Sequence, residues 1–220
     1  STTYPNVLAL GYLRRTNKSI PAVEAKARQY IHLGYQRLLS FEVVGGGFDW
    51  FGHPPANTTL TAYGLMEFQD MAAVHDVDPS LIDRTRRWLL EQRESNGTWS
   101  AESHRMHEDP TGHSALSATA YVAMAVFDGY SGPERGGTRA FVLSHEPDGI
   151  GDPHTLALVC NALIAMEVGS NEVRPYLDRL ASMRDEARDG ELVWWEQMPG
   201  ARTTFYGAGR SGDIETTALA

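Results

Sequence analysis

The sequence predicts an all-α fold of the α/α-toroid type, in which inner helices form a ring inside a second ring of outer helices. Apolar residues recur at helical spacing through most of the chain, and helices that are apolar on nearly every side alternate with amphipathic ones. No two segments show the alternation typical of paired strands. A solenoid of stacked helix pairs would share this local pattern, but the uneven spacing of the inner helices favours the toroid.

Nine helices are expected, and Pro or a capping side chain marks several of their starts. They are predicted at residues 4–15, 21–39, 60–75, from 79, 113–130, 138–145, 153–167, 172–187 and from 214. The expected caps are Ser19, Asp78, Asp152 and Asn171. The predicted starts are therefore better defined than the ends.

Four segments are rich in small and apolar residues, which is typical of buried helices. Similar loops, each with a glycine and an aromatic residue, lead into helices of this type. The four are LTAYGL at 60–65, LSATAY at 116–121, TLALVC at 155–160 and ETTALA at 215–220. The loops at 46–50, 96–99 and 190–195 each join a turn-forming Gly to an aromatic side chain. We expect Trp50, Trp99, Trp194 and Trp195 to hold these loops against the helices rather than to bind a ligand.

Composition limits the possible classes of protein. A chain of 220 residues with 42% hydrophobic residues suits a single soluble domain, and a net charge of −9 argues against a nucleic-acid partner. No apolar run is long enough for a transmembrane helix. The lone Cys160 excludes an internal disulfide. Both termini are expected to be cuts, because the chain lacks an initiator Met and ends within a helical pattern.

Seven short blocks, in this order, resemble the thioester-containing domain of the alpha-2-macroglobulin and complement family. They are YPNV at 4–7, IHLGYQRLL at 31–39, GGFDWFG at 46–52, LTAYGL at 60–65, WLLEQR at 88–93, VWWE at 193–196 and IETT at 214–217. The residues chosen in these blocks resemble those of bacterial members of the family. The resemblance covers essentially the whole chain and implies an incomplete α/α toroid, like the helical barrel of terpenoid cyclases and prenyltransferases.

The Cys-x-Glu-Gln segment that defines this family is absent from the chain. The resemblance places it just before Ser1, and Cys160, in the middle of a buried helix, cannot replace it. We therefore expect residues 1–220 to form one domain fragment, truncated at both ends and monomeric. It should be a scaffold rather than an enzyme, without cofactor or metal.

A cluster of histidine and acidic residues lies between 104 and 113. By the resemblance, His107 occupies the place of the catalytic histidine in complement-like members, where imidazole attacks the thioester and forms an acyl-imidazole. Glu108 is a weaker candidate that would orient or charge this imidazole. His104 could take the same role, and a solvated loop without function is the simpler alternative. A zinc site formed by His104, His107 and His113 is a further alternative.

Two other residues are weak candidates by resemblance. Glu196 and Tyr206 lie in a late loop that the family places near the thioester. Asn17, Asn57 and Asn96 each begin a glycosylation pattern, Asn-x-Ser/Thr, which we expect to be coincidental in a chain of this style.

The resemblance implies a parent protein that traps proteases. The parent would acylate proteases or surface nucleophiles in the periplasm or outside the cell, next to other macroglobulin domains of the same chain. The rival function is an isoprenoid enzyme of the terpenoid cyclase or prenyltransferase type, which needs an acidic or zinc site. Asp76 and Asp78 are the nearest acidic group, and Pro79 makes them a helix start. A helical-repeat interaction module is a third possibility.

Overall fold

The chain is predominantly helical. The computed structural model describes residues 3–18, 20–100 and 115–220. These ranges contain α1 (Thr3–Arg15), α2 (Pro21–Leu39), α3 (Thr58–Ala72), α4 (Pro79–Glu91), α5 (Ala115–Phe127), α6 (Arg135–Leu143), α7 (Pro153–Ala165), α8 (Ser170–Ser182) and α9 (Arg210–Leu219). Two short strands, β1 (Asp185–Ala187) and β2 (Leu192–Trp194), pair antiparallel. The prediction of an all-α fold is confirmed, and the chain divides into two compact units, Ser1–Gln92 and Arg93–Ala220.

Local signals at the helix starts explain where several helices begin. Asp78 and Asp152 cap α4 and α7 as predicted, each accepting a backbone N–H at 2.9 Å, and a Pro follows each of them. Two predicted caps differ. Ile20 occupies the cap position of α2 without a side-chain bond, and Ser19 lies outside the described residues. Gly169 precedes α8, so Asn171 lies inside its first turn.

The first unit packs α1 against α2 and α3, and α3 against α4. Its core contains residues from all four helices and from the loop before α3. The fully buried members are Leu10, Ile31, Phe68, Met71 and Leu81, and Phe48 and Val7 lie against them. The apolar sides predicted for α1 and α2 are buried only in part, since Leu8, Tyr30 and Leu33 are exposed, and α3, predicted to be apolar on nearly every side, has eight of its fifteen residues buried.

In the second unit, α5 and α7 form the core. Ten of the thirteen residues of α5 and nine of the thirteen residues of α7 are buried, as predicted for helices that are apolar on nearly every side. The same prediction is wrong for α9, where only Gly212 and Thr216 are buried and Ile214 is 63% exposed. Its main contacts are with α7 and β2, and its other residues are half-buried or exposed.

The segment after α8 does not continue as a helix. α8 ends at Ser182, and the predicted helical residues up to 187 lead instead into a hairpin. Arg188, Asp189 and Gly190 have positive φ angles of 54°, 53° and 86°, which reverse the chain between the strands. The expectation that no strands would pair is therefore wrong over these few residues.

Three joints connect an aromatic loop residue to a threonine on the following helix. The backbone N–H groups of Phe48, Trp99 and Trp195 donate to the hydroxyls of Thr61, Thr119 and Thr217 at 2.8, 3.0 and 3.0 Å. We call these the first, second and third joints. Trp99 is 1% exposed, so the second joint is held as predicted, whereas Trp50 is 59% exposed and does not hold the first. Phe48 is the aromatic residue that holds the first joint instead.

None of the described helices combines the length and apolar character that a membrane-spanning helix requires.

Candidate functional site

Residues 195–209, the late loop, lie in the second unit and contain two of the predicted site residues. The third joint fixes the start of this loop, and the indole N–H of Trp195 donates to the carbonyl of Leu180 at 2.8 Å. Further along, the Gln197 N–H donates to Asp213 at 2.9 Å. The loop is therefore attached both to the end of α8 and to α9.

A tight turn closes the late loop before α9. The buried Thr203 hydroxyl donates to Glu215 Oε2 at 2.6 Å and accepts the Gly207 N–H at 2.8 Å. The Thr203 N–H donates to the Gly207 carbonyl at 3.0 Å. Glu215 thus holds a loop turn from its place on α9, and the turn fixes the positions of the residues between 203 and 207.

His154, which sequence reasoning missed, joins this turn to α7. Its Nε2 atom accepts the backbone N–H of Thr204 at 3.2 Å and lies 3.2 Å from the Thr204 hydroxyl. Accepting a backbone N–H requires a lone pair on Nε2, which assigns the ring proton to Nδ1. His154 is buried and follows Pro153 in the first turn of α7. The sequence did contain a signal that could have identified His154, namely a histidine at the start of a helix predicted to be buried.

The aromatic residues of the turn have different surroundings. Phe205 packs edge-on against Tyr121 of α5, with ring centroids 5.8 Å apart. Tyr206 adopts a positive φ of 65° and is 59% exposed, so its side chain stands at the surface. Glu196 is also exposed and accepts the indole N–H of Trp194 at 3.2 Å. Both predicted residues are accessible to a partner.

A groove of about 280 Å³ lies at the start of α5 and α7, and Leu116, His145, Glu146 and Asp152 contribute to its lining. The Nδ1 atom of His145 is 2.9 Å from the Phe141 carbonyl. In the part of the chain that the structure describes, no three His, Cys, Asp or Glu side chains are placed to hold a metal ion. Nothing in the described lining of the groove defines a reaction.

The strongest predicted candidates fall outside the described residues. His107 and Glu108, with the alternative His104 and the zinc-site member His113, belong to residues 101–114. Their roles therefore remain predictions from the sequence.

Cys160 occupies the interior of α7. The thiol is 2% exposed, and burial raises its pKa to about 11. At neutral pH this group is a thiol rather than the nucleophilic thiolate, and its surroundings exclude solvent. The expectation of a buried core cysteine agrees with this placement.

A buried carboxyl group lies in the first unit. Glu67 of α3 has no exposed surface, and neither carboxyl oxygen has a hydrogen-bond partner among the described residues. Burial raises its pKa to about 7. Tyr4 of α1 and Tyr63 of α3 lie nearby, with ring centroids 5.6 Å apart, and Tyr4 donates to Asp70 at 2.6 Å. Glu67 was not among the residues predicted from the sequence.

Together these features define a helical protein in which aromatic loops lead into buried helices and the cysteine is buried. A family model described as the A-macroglobulin TED domain matches residues 1–220. The chain therefore belongs to the thioester-containing domain family of the alpha-2-macroglobulins, and the resemblance drawn from the seven sequence blocks is confirmed. Membership of this family indicates other macroglobulin domains in the parent protein.

Proposed function

We propose that the chain is the scaffold part of a thioester domain in a protease-trapping protein. In the parent, cleavage by a protease would expose the thioester, which would acylate the protease or a nearby surface nucleophile. The family match over the whole chain supports this function. The family is typically extracellular, which supports action in the periplasm or outside the cell.

Residues 1–220 themselves should have no thioester chemistry, and the setting of Cys160 carries this proposal. Asn161, Ala162 and Leu163 follow this cysteine, in place of the x-Glu-Gln of the family. The thiol is buried in a helix, and its raised pKa keeps it protonated. A strained thioester needs an accessible acyl group, whereas this site admits neither a nucleophile nor water. The chain therefore serves as a scaffold rather than as an enzyme.

The test exposes the folded chain to labelled methylamine and to glycerol and measures the intact mass. We expect no mass increase and no reaction of Cys160 with a thiol reagent until the chain is unfolded. Denatured protein is the matched control, since its thiol should react stoichiometrically. Incorporation of methylamine into the folded chain would refute the proposal.

In the parent, we propose that His107 directs acyl transfer. Its imidazole nitrogen attacks the thioester carbonyl, the carbon–sulfur bond breaks, and a thiolate leaves with the electron pair. The thiolate then removes the proton from a target hydroxyl, whose oxygen attacks the acyl-imidazole and releases the imidazole. Glu108 would orient His107, and Glu196 and Tyr206 would lie near the acceptor. The exposure of Glu196 and Tyr206 is compatible with that role.

The test of His107 uses the parent protein with the upstream thioester segment. His107→Asn should shift transfer from hydroxyl towards amine acceptors by about 10²–10⁴-fold, the usual contribution of general base assistance. His104→Asn is the matched control. If only the control changes the hydroxyl-to-amine ratio, the role belongs to His104. If neither variant changes it, the cluster has no catalytic role.

A further inference from the structure

The structure separates three segments that the sequence pattern alone treats alike. Asn17, Asn57 and Asn96 each begin an Asn-x-Ser/Thr pattern, which marks an acceptor for N-linked sugar. The sequence alone led us to expect that all three patterns are coincidental, so a site that departs from this expectation must be identified by the surroundings of its asparagine. Solvent access of the side-chain Nδ2 atom and the position of the Ser or Thr hydroxyl are the two criteria.

Asn57 fails the first criterion. Its Oδ1 atom caps α3 by accepting the Leu60 N–H at 2.7 Å, and its side chain is half-buried. Asn17 is exposed in the turn after α1, but the hydroxyl residue of its pattern, Ser19, lies outside the described residues. No side-chain geometry therefore favours Asn17.

Asn96 meets both criteria. Its side chain is exposed, and its Oδ1 atom accepts the Thr98 N–H at 3.0 Å and the Thr98 hydroxyl at 2.7 Å. These two bonds assign the oxygen to the inner side of the amide, and Nδ2 makes no hydrogen bond within the described part of the chain. A sugar on Nδ2 would leave both bonds intact, so the folded loop can carry the modification.

We propose that Asn96 is an N-glycosylation site, at which a transferase moves an oligosaccharide from a lipid-linked pyrophosphate donor to Nδ2. The bond between Nδ2 and the anomeric carbon forms as the bond from that carbon to the pyrophosphate oxygen breaks. Nδ2 releases one proton to solvent, and the lipid pyrophosphate leaves with the electron pair of the broken bond. The proposal rests on the proposed function in one respect, since the chain must be exported from the cytoplasm to meet such a donor.

The charge before the acceptor also distinguishes Asn96. Glu94 stands two positions before it, whereas Arg15 and Pro55 stand two positions before Asn17 and Asn57. A transferase with a cationic group at that part of its acceptor groove would select the acidic segment. The acceptor is therefore the segment 94–98, in which an acidic residue, an asparagine and a threonine are evenly spaced.

The folded loop also indicates when the transfer occurs. Thr98 is buried, and the Gly97 N–H donates to the Glu94 carbonyl at 2.9 Å, so a transferase cannot extend this segment into its groove after folding. The sugar must be added before the second joint closes. In the folded protein it would then project from the exposed Asn96, in the loop that packs against the start of α6.

The experiment maps the protein purified from its own cells after separation of exported and cytoplasmic fractions. Cleavage at arginine gives a peptide of residues 94–105, whose mass should include an oligosaccharide on Asn96. Thr98→Ala should abolish the modification, Thr98→Ser should retain it, and Glu94→Gln should lower occupancy by up to about fivefold, the effect of losing one exposed charge pair. Asn17→Gln is the control and should change nothing.

The outcomes separate the two proposals. An exported protein with an unmodified 94–105 peptide overturns the glycosylation site but leaves the proposed function in place. A protein found only in the cytoplasm overturns the extracytoplasmic function and, with a bare Asn96, the site as well. Sugar that persists on Thr98→Ala, or that lies on Asn17 instead, also overturns the site.

Discussion

The first and second joints use the same backbone device but different side chains to support it. In both, a loop N–H donates to a buried threonine hydroxyl, and a glycine of the loop lies against a neighbouring backbone. The first unit supports its loop with an ion pair, since Arg84 binds Glu42 through two nitrogens at 2.5 and 2.8 Å. The second unit supports its loop through the buried hydroxyl of Thr138.

Thr138 is the centre of the second support. Its hydroxyl donates to the Gly97 carbonyl at 2.7 Å and accepts the Arg93 Nε–H at 3.0 Å. Arg93 also donates to the Glu134 carbonyl at 2.8 Å. The Arg93 guanidinium therefore donates to neutral oxygens, a hydroxyl and a carbonyl, rather than to a carboxylate. The comparison teaches that the same kind of joint can be supported by an ion pair, as in the first unit, or by a buried hydroxyl, as in the second.

The largest expected effect tests the close approach at the second joint. Gly97 has a φ of 91°, and a Cβ there would lie 2.5 Å from the Gly137 carbonyl carbon. Gly97→Ala should lower the free energy of unfolding by about 4 kcal/mol or more, because the neighbouring atoms are backbone and cannot move aside. Urea unfolding followed by circular dichroism measures this loss.

Gly136→Ala is the matched control for that experiment. Gly136 lies in α6 next to Gly137, with nothing within 4 Å of an added Cβ. Alanine there should stabilise the helix by about 0.5–1 kcal/mol. Equal effects at Gly97 and Gly136 would contradict the close approach.

The second prediction concerns pH and the buried carboxyl of the first unit. The pKa of Glu67 rises from 4.5 to about 7 on folding, so the folded state retains a proton that the unfolded state has lost. The contribution of Glu67 protonation to the free energy of unfolding should be complete below pH 4.5. It should be lost as pH rises through 7, which lowers the free energy of unfolding by about 3 kcal/mol. Glu67→Gln should remove this slope. Unfolding curves at pH 5 and pH 8 measure it, and an unchanged slope in the variant would refute the assignment.

The third prediction compares the two threonines that define the joints. Thr61→Val and Thr119→Val each leave a buried loop N–H without an acceptor, which should cost about 1–3 kcal/mol. Serine at either position keeps the hydroxyl and should recover most of the loss. Similar costs at both joints would confirm a shared device. A negligible cost at Thr61 would show that the ion pair alone holds the first loop.

The smallest expected effect belongs to the ion pair itself. The side chains of Arg84 and Glu42 are 35% and 20% exposed, so solvent screens their attraction. Glu42→Gln should cost about 0.5–1 kcal/mol at low salt, and the difference should shrink in 1 M salt. Thr138→Val, the corresponding change in the second unit, should cost more and should be insensitive to salt. A salt-dependent loss at Thr138 would contradict the comparison.

Local residue chemistry made several features predictable from the sequence. The starts of α4 and α7 follow from an Asp before a Pro, and the buried helices α5 and α7 follow from apolar residues on nearly every side. The seven blocks were sufficient for the family. The candidate site was less predictable from the residues themselves, because Glu196 and Tyr206 were chosen only by the family resemblance and His107 lies outside the described residues.

The sequence by itself therefore determined the helical class, the order of the helices and the absence of a Cys-x-Glu-Gln segment, since each depends on neighbouring residues. Only the tertiary structure decided that Thr61, Thr119 and Thr217 would meet loop N–H groups, and that His154 would accept a bond from a residue fifty positions away. It also decided that Gly212 and Thr216 would be the buried residues of α9. Spacing within a segment indicates which side of a helix is apolar, whereas the partner of a polar group depends on where distant segments pack.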